Sequence, residues 1–179
     1  MDFQQFILSN GQLLSLQSGS HVFRQGEADK YFYVVKSGLL KAYYLSDDGK
    51  ENIKSFILPG DKIGSLMAAY AKQHCTFSLV CLQPSELIAV EFAAIYMASR
   101  NDPQIAAEMT DFLLAFAMKK EKREYELLCL SAEERYLELM RTTPELFDRV
   151  TQNEIALYLG ITPVGLSRIK KRIQITGNE

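Results

Sequence analysis

TQNEIALYLGITPVGLSRIKKRI, residues 151–173, fits two helix starts and a single turn glycine into 23 residues. Thr151 and Glu154 form a capping box, each side chain bonding the other's backbone amide, so a helix begins at Gln152. Ile155, Ala156 and Leu159 share one of its faces. Gly160 can take the left-handed conformation that ends a helix and turns the chain sharply. Thr162 then serves as N-cap, and Pro163 sits at the first helical position, where its missing N–H costs nothing. In the second helix Leu166, Ile169 and Ile173 make an apolar stripe, which leaves Val164, Ser167, Arg168, Lys171 and Arg172 on or near the outer face.

A compact helix, a glycine turn and a second helix, with small Ala156 at the crossing, give helix-turn-helix geometry. Any helical hairpin can carry an apolar stripe and exposed bases, and charge separates the two readings. The chain holds 20 Lys and Arg against 22 Asp and Glu, a net charge of −2. Residues 151–179 carry four bases and two acids, whereas the remainder carries 16 bases and 20 acids. A local basic face on an acidic body suits a focused anionic target better than a diffuse one.

Working back along the chain, SAEE at 131–134 is a second capping box, and its helix runs to about Arg141, before TTPELF. From Asp102-Pro103 the apolar positions Ile105, Met109, Phe112 and Phe116 are spaced four, three and four, and they resume at Leu127 and Leu130. This predicts one continuous helix of about 28 residues. The helix either lies across the preceding unit or pairs with a second copy of itself through its heptad-like positions. The run KKEKRE, 119–124, reads as a solvated stretch between two contact zones.

Residues 1–98 read as mostly β, with short Val-, Ile-, Tyr- and Phe-rich runs broken at Gly26, Gly38 and Gly60. DDGK at 47–50, between LLKAYYL and ENIKSFIL, is a tight-hairpin signal. The fold class expected is therefore α+β, an antiparallel roll or barrel followed by helices. A generic β-sandwich has the same periodicity.

At 179 residues and 47% hydrophobic, the chain can build one good core and a small second unit. Cys75, Cys81 and Cys129 are odd in number and lack CxxC spacing, which points to reduced thiols rather than disulfides or structural zinc. MDFQQFILSNGQ, at the N-terminus, lacks the pattern of a signal peptide, and no run approaches the ~20 apolar residues of a membrane span. A cytoplasmic protein with no membrane partner is expected. The chain has no GxSxG, HExxH or phosphate-cradling GKS/GKT motif, and only two histidines, so no catalytic residues are assigned and no enzyme is expected.

With these segments in order, the chain resembles the Crp/Fnr (catabolite-activator/FNR-type) bacterial transcription regulators. VFRQGEADKYFYVVKSGLLKAYYLSDDGKE and ILPGDKIGSL look like that family's cyclic-nucleotide-binding β-roll, a jelly roll. Residues 102–130 look like its dimerisation helix and 151–173 like its DNA-binding pair. The resemblance implies a β-roll at 1–98, a dimerisation helix at 99–130 and a helix-turn-helix domain at 131–179. It also implies a homodimer through the 102–130 helix, double-stranded DNA as ligand and RNA polymerase as partner. Two copies of the second helix would then lie one DNA turn, roughly 34 Å, apart over an inverted repeat.

By that similarity the base-reading positions fall at Pro163, Val164, Ser167 and Arg168, next to the N-cap Thr162. Relatives that read guanine early in this helix have arginine and glutamate where this chain has Pro163 and Val164. Val164 can still touch a thymine methyl, and Arg168 is the candidate for a bidentate guanine contact. Lys170, Lys171 and Thr151 suit phosphates, which position without specifying. Gly165 lowers helix propensity by about 1 kcal/mol relative to alanine, for no reason visible in the sequence.

The effector region departs from the family's cyclic-AMP binders, which hold the ribose with glutamate and the phosphate with arginine followed by a hydroxyl residue. After Gly64, Ser65 stands where the glutamate would be; Cys75 replaces the arginine, and Thr76 keeps the hydroxyl. A phosphodiester would lack its bidentate partner, so cyclic AMP is not expected. His74 and Cys75 could be metal or haem ligands, but adjacent residues rarely converge on one ion and His21 is the only other histidine. The cysteine cluster of the iron–sulfur branch has no counterpart before Cys75, so no metal or other cofactor is expected. The roll then acts as a platform or senses an unrecognised ligand. A β-hairpin wing is common in relatives, and the sequence given stops six residues after Ile173, so lower affinity and flatter salt dependence are expected. The rival reading is a ligand-sensing roll that regulates a protein partner without specific DNA binding.

Overall fold

A computed structural model describes residues 2–176. The chain runs through α1 (Phe3–Asn10), β1 (Gln12–Leu16), β2 (His21–Phe23), β3 (Tyr31–Ser37), β4 (Leu40–Leu45), β5 (Glu51–Ile57) and β6 (Lys62–Ile63). It continues through α2 (Leu66–Ala69), β7 (Ser78–Cys81), β8 (Ser85–Glu91), α3 (Phe92–Asn101) and α4 (Pro103–Cys129). It ends with α5 (Ala132–Thr142), a short 3-10 turn (Pro144–Asp148), α6 (Gln152–Leu159) and α7 (Pro163–Thr176). Residues 177–179, the end of the expected third domain, lie outside the described residues.

The strands form two four-stranded antiparallel sheets, ordered β1-β8-β3-β6 and β2-β7-β4-β5. Alternation along each strand sends side chains to opposite faces. In β8, Leu87 and Ala89 enter the space between the sheets, where Val35, Leu40 and Leu79 meet them, while Ile88 and Val90 face the other way. Those outward residues pack with Phe32 against Phe3, Phe6, Ile95, Ile105 and Met109 of α1, α3 and α4. On the opposite side of the molecule Leu39, Tyr43, Ile53, Phe56 and Val80 pack against Tyr136, Leu139, Ile155, Leu159, Leu166 and Ile169. Both sheets are thus covered on both faces, which explains why β3 and β8 read as nearly continuous apolar runs.

The α+β class, the roll, the long helix and the C-terminal helices agree with the expectation. Ser46 closes the DDGK hairpin onto Lys50, and Gly49 has a φ of +79°. Two features differ. The first 98 residues also carry α1 and the start of α3, whose apolar residues are too few to set a helical period against the β runs. The Ile105–Phe116 stripe lies on the roll, with the Phe112 ring 5.2 Å from that of Phe32. The large apolar residues left exposed on α4 are Leu113, Leu114, Met118, Tyr125, Leu127 and Leu128. No helix of the described residues is long and apolar enough to cross a membrane.

Candidate nucleic-acid interface

Both ends of α6 form as their residues dictate. Thr151 N–H donates to Glu154 Oε2 at 2.9 Å, and Glu154 N–H donates to Thr151 Oγ1 at 3.2 Å. Gly160 has a φ of +70° and closes the helix onto the carbonyls of Ala156 and Leu157. Thr162 Oγ1 accepts from Gly165 N–H at 3.1 Å, capping α7. A Cβ at Gly165 would sit 3.3 Å from that same Oγ1, a contact that a small shift relieves, and nothing else in the structure explains the glycine.

α7 is divided by side. Leu166 and Ile169 are buried beneath it against Ile155 and Leu159. Thr162, Pro163, Val164, Ser167, Arg168 and Lys171 are exposed. Among the described residues Arg168 and Lys171 have no ion-pair partner, whereas Arg172 lies 3.2 Å from Glu133. Lys170 is half-buried and donates to Gln152 Oε1 at 3.0 Å, tying the two helices together. Thr151 is exposed, and its hydroxyl also meets Glu154 at 3.0 Å.

Residues that sequence reasoning missed hold this surface in place. Lys41 of β4 lies 2.8 Å from Glu51 and 3.7 Å from Glu154, joining the roll to α6. Arg149 donates to Gly38 O at 2.9 Å and Gln83 Oε1 at 2.7 Å. Arg135 Nε donates to Leu159 O at 3.1 Å, while Arg123 donates to Tyr158 O and stacks 3.9 Å over its ring. The last two set cations against the carbonyl end of α6, where its dipole is negative. Only their basic character was visible in the sequence, because each partner lies 24 or more residues away.

Of the expected effector residues, Ser65 and Cys75 meet, and the other three lie apart from their contact. Ser65 and Cys75 are each 2% exposed in the core of the roll, with the Ser65 hydroxyl hydrogen-bonded to the thiol. Burial pushes the Cys75 thiol pKa up, and that hydrogen bond opposes the shift. Exposed His74 and Thr76 flank it, while half-buried Gly64 lines a cleft against Phe112. A serine and a neutral thiol in contact supply neither the carboxylate nor the guanidinium that a cyclic nucleotide needs. Among the described residues no cluster of metal-ligating side chains occurs.

The chain thus joins a double-sheeted roll to a long helix packed on one side of it and a helix-turn-helix on the other. Residues 13–101 match the cyclic nucleotide-binding domain family. Electron transport regulator A of Shewanella oneidensis is 25% identical over 173 residues, which cover 90% of this chain and 68% of that one. The fumarate and nitrate reduction regulatory protein of Escherichia coli K12 is 25% identical over the same coverage. The structure of FixK2 from Bradyrhizobium japonicum superposes with a TM-score of 0.76 at 21% identity, covering 93% of this chain and 86% of that one. Over most of its length the chain is thus similar to transcription regulators of the Crp/Fnr type.

Proposed function

We propose that the chain acts in the cytoplasm as a homodimer that reads an inverted repeat by placing α7 of each copy in the major groove. The observation that carries this reading is the division of α7. Leu166 and Ile169 anchor it while Pro163, Val164, Ser167, Arg168 and Lys171 face outward, the two cations without internal partners. Arg168 reaches a guanine edge with its planar fork, and Val164 meets a thymine methyl. Lys171, Lys170, Thr151 and the α7 N-terminus at Thr162 contact phosphates, and Lys170 gives up Gln152 to do so. The exposed α4 stripe of Leu114, Met118, Tyr125 and Leu128 supplies the seam between copies, with RNA polymerase the partner at the promoter.

The Ser65–Cys75 contact argues against cyclic AMP as effector. The reading is tested by selection from a randomised duplex library followed by gel-shift titration. Enrichment of an inverted repeat with half-sites about 34 Å apart is expected. Enrichment of no sequence would reject it in favour of a roll that regulates a protein partner.

A further inference from the structure

A buried cation of the roll meets the N-terminus of α6. The Lys41 side chain is only 13% exposed, and its ammonium group lies 2.8 Å from Glu51 Oε2 and 3.7 Å from Glu154 Oε1. Among the described residues no other cation comes within ion-pair distance of Glu154. The second oxygen of Glu154, Oε2, accepts from the Thr151 amide at 2.9 Å and from the Thr151 hydroxyl at 3.0 Å. One carboxylate thus joins β4 of the roll to the cap of α6.

That carboxylate answers two opposed requirements. An anion in the first turn suits the dipole of α6. Thr151, in the same cap, is the residue we place against a DNA phosphate. A phosphate oxygen accepting from the Thr151 hydroxyl at about 2.7 Å would sit within about 6 Å of Glu154 Oε2. Two anions at that separation repel, and more strongly beside a protein interior than in bulk water. The cap itself does not need the charge, because glutamine at this position of a capping box makes the same bonds. An ionised Glu154 therefore opposes DNA unless a cation offsets it, and Lys41 is that cation.

We propose that Lys41 is a positioning residue for DNA binding: held in the roll, it offsets the charge of Glu154 and so lets a backbone phosphate approach Thr151. The inference rests on the reading of 151–173 as the DNA-binding pair and adds to it a residue from outside the helix-turn-helix. A purely structural tie between β4 and α6 would use the same contacts, and the two roles part on one point. For a structural tie, losing either partner loosens α6. For a charge offset, losing Lys41 weakens DNA binding, whereas losing the charge of Glu154 relieves it. Glu51, whose side chain is 36% exposed, stays hydrated when Lys41 is removed.

The experiment is gel-shift titration of the full chain on the selected operator at constant ionic strength, with Lys41→Met, Glu154→Gln and the double variant. Methionine keeps an unbranched stem at the buried position, and glutamine keeps the cap. Lys41→Met is expected to weaken binding by about fivefold or more, while the double variant recovers to within about twofold of wild type. Glu154→Gln alone is expected to bind at least as tightly as wild type. A double variant as weak as Lys41→Met would overturn the inference, and so would Glu154→Gln weakened as much as Lys41→Met or Lys41→Met that binds like wild type. Each of these leaves the reading of α7 standing while the wild-type chain selects an inverted repeat. A wild-type chain that binds no duplex would overturn both.

Discussion

Gly160 and Lys54 show single residues under opposite constraints. The φ of +70° at Gly160 is a region that costs an L-residue about 1–2 kcal/mol, so Gly160→Ala should lower stability by that amount. Its side chain would meet nothing closer than Leu127 at 3.7 Å, so the cost is conformational. Urea unfolding should show a lower midpoint at unchanged slope. For Lys54, burial and then Lys120 push the pKa down from 10.5 to about 7. Between those values the unfolded chain binds more protons than the folded one, so stability rises with pH from about 7 upward. Below about 7 the penalty is present in full. In phosphate-free buffer the gap in unfolding free energy between Lys54→Met and wild type should be widest near pH 6 and shrink by pH 9; a constant gap would contradict the account. Residue-scale features were legible when partners were close in sequence. Both capping boxes and Gly160 depend on residues within four positions, whereas Ser65 and Cys75 are ten apart and their contact needs the folded roll.

At the scale of elements, α4 carries one set of apolar residues that is covered and another that is exposed. Ile105 is 2% exposed beneath the helix, and Ile105→Ala should cost about 2–5 kcal/mol of stability. Leu128 is 76% exposed, so Leu128→Glu should leave the monomer folded and shift sedimentation equilibrium toward a single copy. If Leu128→Glu remained dimeric, the seam would lie elsewhere. The length of this helix was readable although its apolar pattern pauses at KKEKRE, because no helix breaker falls between Pro103 and Leu130, and the structure gives 27 residues from Pro103. Of the two roles the sequence left open for its stripe, contact with the roll is the one the structure shows. Ile105, Met109, Phe112 and Phe116 show the cleanest period, but that period records contact with the roll. A periodic stripe establishes that a face is covered, without saying by what.

Across the whole molecule, the helix-turn-helix and the roll share one core. Ile53 and Phe56 of β5 contribute to the cluster that buries Ile155, Leu159 and Leu166, and Lys41, Arg123 and Arg149 tie its edges. Phe56→Ala should therefore cost about 3–5 kcal/mol and disturb α7 through α6, against which Phe56 packs. This arrangement was not legible from the sequence, because β5 and α6 lie about 100 residues apart and each reads as a complete local unit. The central claim, that α7 reads bases through Arg168, is met most directly by a double-mutant cycle on the selected operator. Affinities of wild type and Arg168→Ala would be compared on the operator and on single-base substitutions at each half-site position. The account predicts that Arg168→Ala loses about 1–3 kcal/mol on the operator and becomes indifferent to one guanine–cytosine pair. An equal loss on every sequence would contradict it, leaving Arg168 a phosphate contact.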